Sequence, residues 1–245
     1  MREAWWLIGN LSVIVFSVVA LAHWKNSRDN PWQVLGLDLD RAAGVDLSIG
    51  FLIGALVMVG IFLVELTWGL IDVAGVRRPD LFILNGCLWF LPRAFAEELF
   101  CRGFLLNGLF VLVHGKYKWL AVAISAIVFG FIHALNPNAN ELSVLGNTLG
   151  GVVYSLAYLK SGRLWLGTGL HFAWNFVQGA ILGFPVSGNA TFGLLYQGAW
   201  SDILWTGGDY GPEAGLIGMG FRFVAIIAVL LWCARRSRQS TLPQP

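Results

Sequence analysis

Two adjacent carboxylates and an arginine, Glu97-Glu98-x-x-x-Arg102, interrupt an otherwise apolar stretch running from Leu81 to Val113. A charge at the centre of a bilayer costs about 3 kcal/mol on insertion scales, so such residues point to function. On a helix Glu98 and Arg102 share a face and can pair. Glu97 lies about 100° round from Glu98 and points elsewhere. The spacing predicts a division of labour, with Glu98 neutralised by Arg102 and Glu97 left for chemistry. Two further spacings add polar groups to apolar segments. Phe129-x-x-x-His133 sets an aromatic ring one turn before a histidine, and His171-x-x-x-Asn175 sets an imidazole and an amide on one face. The other two histidines, His23 and His114, sit at segment ends, where an interfacial place is expected.

A glutamate in a desolvated site suits a general base acting on water, and a neighbouring histidine can orient that water or carry a proton. The Asn175 amide, with or without a histidine N–H, can donate to the oxyanion of a tetrahedral intermediate, an effect of roughly 3–4 kcal/mol. Glu97, His133, His171 and Asn175 are therefore sufficient for amide hydrolysis without a nucleophilic Ser or Cys. Glu97, His133 and His171 could equally hold zinc, with water in the fourth position. The common HExxH spacing is absent, which favours a metal-free site and leaves zinc as the alternative. Each piece alone has a plain structural explanation: a buried Glu–Arg pair ties helices together, and a membrane histidine packs. The weight lies in their conjunction at membrane depth.

The elements that must hold these groups are membrane helices. Of the 245 residues, 57% are hydrophobic and 12% charged, with a mean hydropathy of +0.68. Ordinary soluble domains carry about a quarter charged residues. The twelve tryptophans suit membrane interfaces, and a net charge of +2 gives no reason to expect nucleic acid. The three cysteines, Cys87, Cys101 and Cys233, lack CxxC spacing and read as small core residues. Spans are expected at Trp5–Trp24, Leu47–Leu70, Leu81–Val113, Trp119–Leu135, Leu142–Leu159, Leu164–Gly183 and Ala214–Ala234. The first reads as an anchor rather than a cleaved signal. Pro92 is expected to kink or split the third, so the count is seven or eight. Glu65 in the second span is expected to be a structural partner for an intramembrane arginine such as Arg93 or Arg222. Gly146, Gly150 and Gly151 should let helices approach closely.

Residues 25–46 read as a polar connector, and about Phe184 to Pro212 as a long loop with acids but neither Lys nor Arg. Charge bias puts the Arg235–Arg238 tail in the cytoplasm and the 184–212 loop outside. Arg77 and Arg78 fit that alternation only if Pro92 makes a hairpin. The fold class is thus all-α, a polytopic membrane bundle with a polar intramembrane cavity. Three regions are expected: 1–80 with the N-terminal helices and connector, 81–183 as catalytic core, and 184–245 with loop, last helix and basic tail.

Taken together, Glu97-Glu98-x-x-x-Arg102, Phe129-x-x-x-His133 and His171-x-x-x-Asn175 resemble the three-motif signature of the CPBP family, the CAAX prenyl endopeptidases and bacteriocin-processing (Abi) intramembrane proteases. The resemblance covers roughly residues 85–180. It implies an integral-membrane endopeptidase of about eight helices, with Glu97 activating water, His133 as its partner, His171 and Asn175 completing the site, and Glu98, Arg102 and Phe129 supporting. It also implies a membrane-associated protein or peptide substrate, prenylated and of CAAX type in eukaryotic members. Short loops and the lack of a targeting extension lead us to expect a prokaryotic plasma-membrane protein. Cys101 departs from the Phe or Tyr common before the arginine, and no histidine stands at a fixed spacing to activate it. Two rivals remain at this level: a non-catalytic immunity or scaffold protein, and a transporter using Glu and His as a proton relay.

Overall fold

The computed structural model describes residues 31–77, 82–113 and 116–240; the expected Trp5–Trp24 anchor lies outside them. A short helix α1 (Pro31–Val34) precedes α2 (Arg41–Thr67), β1 (Ile71–Val76), α3 (Phe82–Glu98) and α4 (Asn107–Leu112). Then come α5 (Lys118–Ile132), α6 (Glu141–Ser161), α7 (Trp165–Phe176), β2 (Leu195–Trp200), α8 (Ile203–Thr206) and α9 (Leu216–Ser240). Among the described residues four helices are long and apolar enough to cross a membrane: Arg41–Thr67, Lys118–Leu135, Glu141–Ser161 and Leu216–Arg236. The molecule is an all-α membrane helix bundle, as its composition requires. Leu52, Leu56, Leu63, Ile227 and Leu231 are exposed on the outside of α2 and α9, where lipid rather than water suits them.

Local sequence sets several boundaries. Asp40 caps α2 by accepting from the Ala43 N–H at 2.8 Å. The second span therefore begins six residues before Leu47, within the stretch read as connector. Asn140 and Ser143 cap each other's backbone N–H at the start of α6. Gly162, at φ +71°, ends that helix in a left-handed turn.

The region around Pro92 departs from expectation. Helix α3 runs unbroken from Phe82 through Pro92 to Glu98. The irregularity comes later, as wide π-type turns over Leu99–Leu106. Proline inside a membrane helix is tolerated because neighbouring groups can satisfy the freed carbonyl. No hairpin forms at Pro92, so Arg77 is accommodated otherwise: its guanidinium lies over the Tyr196 and Phe192 rings, 4.7 and 5.7 Å from their centroids. The rings belong to the 184–212 stretch, which is not all loop. Its β2 pairs antiparallel with β1 in a small two-stranded sheet, an element absent from the sequence expectation.

Glycines set the helix spacing around the site. A Cβ on Gly50 would fall 2.1 Å from the Leu166 carbonyl oxygen, one on Gly54 2.5 Å from that of Leu170, and one on Gly169 2.1 Å from that of Leu47. Helices α2 and α7 therefore meet backbone to backbone, the close approach that small residues four apart allow. Of the three glycines singled out in α6, Gly151 lies against Ala126 of α5, whereas Gly146 abuts the Glu213 carbonyl and Gly150 abuts Arg222. One main core cluster runs from Val57 to Cys233 and surrounds the polar centre.

Candidate active site

The Glu97-Glu98 pair closes α3, and the wide turns begin at the next residue. In the same way α7 carries His171 and Asn175 and passes into wide turns at Val177–Ile181. Such turns are rare and gather at functional sites, since they shift side chains out of α-helical register. His133 stands where α5 gives way to a tight 3₁₀ turn, His133–Leu135.

Glu98 and Arg102 are 1% and 0% exposed, and Arg102 Nη1 donates to Glu98 Oε1 at 3.0 Å. Arg102 Nη2 donates to the Gly151 carbonyl at 2.9 Å. The guanidinium lies 4.6 Å from the Phe129 ring centroid and 5.2 Å from that of Tyr154. A fully buried charge thus has an anion, a carbonyl and two aromatic faces. The same Glu98 Oε1 accepts from His171 Nδ1 at 2.8 Å. Glu98 orients a histidine as well as neutralising an arginine, which spacing alone did not indicate.

Glu97 points away from that pair. Its side chain is 13% exposed, and its Oε2 stands 3.7 Å from His133 Nε2 and 3.6 Å from His171 Nε2. These separations exceed a direct hydrogen bond, and Oε2 has no other partner. His133 Nδ1 lies 2.8 Å from the Phe129 carbonyl. A carbonyl only accepts, so Nδ1 carries the proton; the Glu98 carboxylate imposes the same on His171. With Nδ1 engaged in both rings, Nε2 is the nitrogen that faces Glu97.

Rings fix these orientations. Phe129 lies 4.6 Å from His133 and 5.7 Å from His171, edge-on to the latter. Tyr154 stacks on His171 at 4.6 Å and 14°. Asn175, one turn after His171, is half-buried, and its side chain makes no hydrogen bond among the described residues, which leaves its amide available. Cys101 is 1% exposed in the core, where it lends its carbonyl to Ser125 Oγ at 2.9 Å.

The donor types suit zinc, and imidazoles held through Nδ1 are usual around metals. However, among the described residues no three His, Cys, Asp or Glu groups stand at metal-site spacing. Glu65 corrects an expectation. It is fully buried, yet neither carboxyl oxygen has a hydrogen-bond partner, and it pairs with neither Arg93 nor Arg222. Arg93 instead lies 4.5 Å from the Trp89 ring centroid, and Arg222 4.4 Å from that of Trp174. Tyr154, Gly151 and Arg222 adjoin the site without a motif that marks them in the sequence. The Gly150-Gly151 pair is the available signal in the sequence, and by spacing alone it indicates only helix packing.

Fold and site together define a membrane helix bundle with a buried carboxylate–histidine centre. Residues 79–177 match the family model described as Rce1-like, type II CAAX prenyl endopeptidase Rce1-like. The segment holding all three motifs is therefore similar to the CPBP/CAAX protease family. No curated protein and no solved structure matches the chain.

Proposed function

We propose that this protein is an intramembrane endopeptidase that uses a glutamate-activated water. The observation that carries the reading is the convergence of Glu97 Oε2, His133 Nε2 and His171 Nε2 within 3.7 Å, beside a Glu98–Arg102 pair that is already neutral. A water donating to Glu97 and to one histidine Nε2 gives the first proton to Glu97 as its oxygen attacks the scissile carbonyl. The carbonyl oxygen becomes an oxyanion, to which the Asn175 amide donates. Glu97 then passes the proton to the departing amine, so one water is consumed and one peptide bond broken. Glu98 holds His171 in the required tautomer, and Arg102 and Phe129 hold Glu98 and the rings in place.

The substrate is proposed to be a membrane-anchored protein or peptide, with a lipidated, CAAX-type C-terminus as the first candidate. An apolar groove of about 480 Å³ supports this; Leu88, Trp89, Phe90 and Phe192 help line it. Trp89 precedes Glu97 by eight residues on the same helix, about 12 Å at 1.5 Å per residue. A lipid chain lying there would leave the adjoining peptide near Glu97. We further propose a prokaryotic plasma-membrane location.

The test uses purified protein in nanodiscs with farnesylated and unlipidated peptides, read by mass spectrometry with and without a chelator. The reading expects cleavage by wild type, none by Glu97→Gln, and no effect of chelation. Loss of cleavage on chelation would assign Glu97, His133 and His171 to a metal. Equal cleavage by Glu97→Gln would sink the mechanism.

A further inference from the structure

Arg222 lies in α9, outside the residues that the family model matches. It is 2% exposed, rests on the Trp174 ring, and is admitted by Gly150, whose added Cβ would fall 2.0 Å from its Nη1. Its Nε is buried without a partner, and among the described residues no carboxylate oxygen stands within 4.0 Å of it. Glu213, the acid whose charge bears on it, is committed to neutral donors. Its Oε2 accepts from Gln178 Nε2 at 2.6 Å, and its Oε1 from the Ser187 N–H and hydroxyl, both at 3.1 Å.

A buried permanent cation without a close anion is costly, and intramembrane charges of this kind line substrate paths. Arg222 is also placed to meet a substrate. Trp174, on which it rests, stands between His171 and Asn175 on α7, and Gly150, which admits it, is one turn before Tyr154, whose ring stacks on His171. The guanidinium thus shares its neighbours with His171.

We propose that Arg222, backed by Trp174 and flanked by the Tyr154 hydroxyl, binds the free C-terminal carboxylate of the substrate. A permanent charge is matched by a permanent anion; an oxyanion exists only in passing and would leave Arg222 uncompensated at rest. The terminus is favoured over an acidic side chain because Arg222 is walled in by α6, α7 and α9. A chain end can stop there, whereas an internal residue needs room for chain on both sides. This inference rests on the peptidase reading for its substrate, but its test does not depend on turnover.

The test measures binding to Glu97→Gln protein in nanodiscs of three fluorescent farnesylated peptides: one ending in a free carboxylate, the same peptide as its C-terminal amide, and an amide with aspartate as last residue. The free acid is expected to bind about tenfold or more tighter than the plain amide, the size of a charge-assisted hydrogen bond. Adding Arg222→Gln should erase that ratio without weakening the amide, and Arg222→Lys should keep part of it. If Arg222→Gln does not fold, the acid-to-amide ratio in the Arg222-intact protein and its reduction by Arg222→Lys carry the test. Equal binding of acid and amide, equal weakening of both by Arg222→Gln, or binding of none of the peptides overturns the subsite. An aspartyl amide binding as tightly as the acid overturns its assignment to the terminus. Acid-selective binding with no cleavage by the Glu97-intact protein would keep the subsite and remove the peptidase reading.

Discussion

Glu98→Gln and Glu97→Gln are adjacent, nearly isosteric changes that should have opposite consequences. Glu98 is 1% exposed and its Oε1 serves two donors, Arg102 Nη1 at 3.0 Å and His171 Nδ1 at 2.8 Å. An amide oxygen in the place of Oε1 can still accept from both, but it cannot neutralise the buried guanidinium. Removing one partner of a buried pair costs about 3–5 kcal/mol. Retention of these hydrogen bonds places Glu98→Gln near the lower end, about 3 kcal/mol. For a chain of this size that corresponds to a melting temperature lower by about 6–12 °C. Glu97 has no such partner, and its Oε2 is already without a hydrogen bond, so Glu97→Gln should melt within about 2 °C of wild type. The assay is thermal unfolding in detergent by tryptophan fluorescence, with folded yield from gel filtration. The division of roles between Glu97 and Glu98 is falsified if Glu98→Gln melts like wild type while Glu97→Gln loses the larger share.

Other perturbations follow from the same geometry. Asn175→Ala should lower kcat of the proposed peptidase about 100-fold with little change in KM, checked by steady-state kinetics; a change confined to KM would remove it from oxyanion duty. Glu65→Gln should leave the melting temperature at or above that of wild type, because the carboxyl it replaces is buried with neither oxygen bonded. A large drop would reveal a partner for Glu65. The Arg163 guanidinium, with help from the Ala43 N–H, holds the exposed Asp40 carboxyl at about 2, below its ordinary 3.8. A depressed carboxylate stabilises above its unfolded value and loses that contribution as pH falls toward 2. Melting curves of wild type and Asp40→Asn should therefore converge between about pH 4 and pH 2, and parallel curves would exclude the pair as a source of stability.

The Glu98–Arg102 pair could be read from the chain because both residues sit on one helix. A spacing of four survives the passage into the wider turns that follow, since those turns still leave i and i+4 on nearly the same side. The second duty of Glu98, orienting His171, could not be read in that way. It joins residues 73 positions apart and depends on how α3 and α7 pack. Glu65 shows the opposite failure. An intramembrane acid invites pairing with an intramembrane arginine, but the available arginines are held by aromatic faces that no spacing rule predicts. The sheet between β1 and β2 was hidden for a related reason: its strands are short and lie more than a hundred residues apart.

Sequence by itself determined the environment, the helical class and the chemical groups, because hydropathy and the 3.6-residue period are local properties of the chain. Only the tertiary structure decided which groups meet. The glycine contacts that press α2 onto α7 and α5 onto α6, the π-type turns that follow Glu98 and Phe176, and the rings wedged between the histidines set Glu97 against His133 and His171. Those are packing outcomes. They depend on shape matched across distant segments, and the order of residues along one segment does not carry that information.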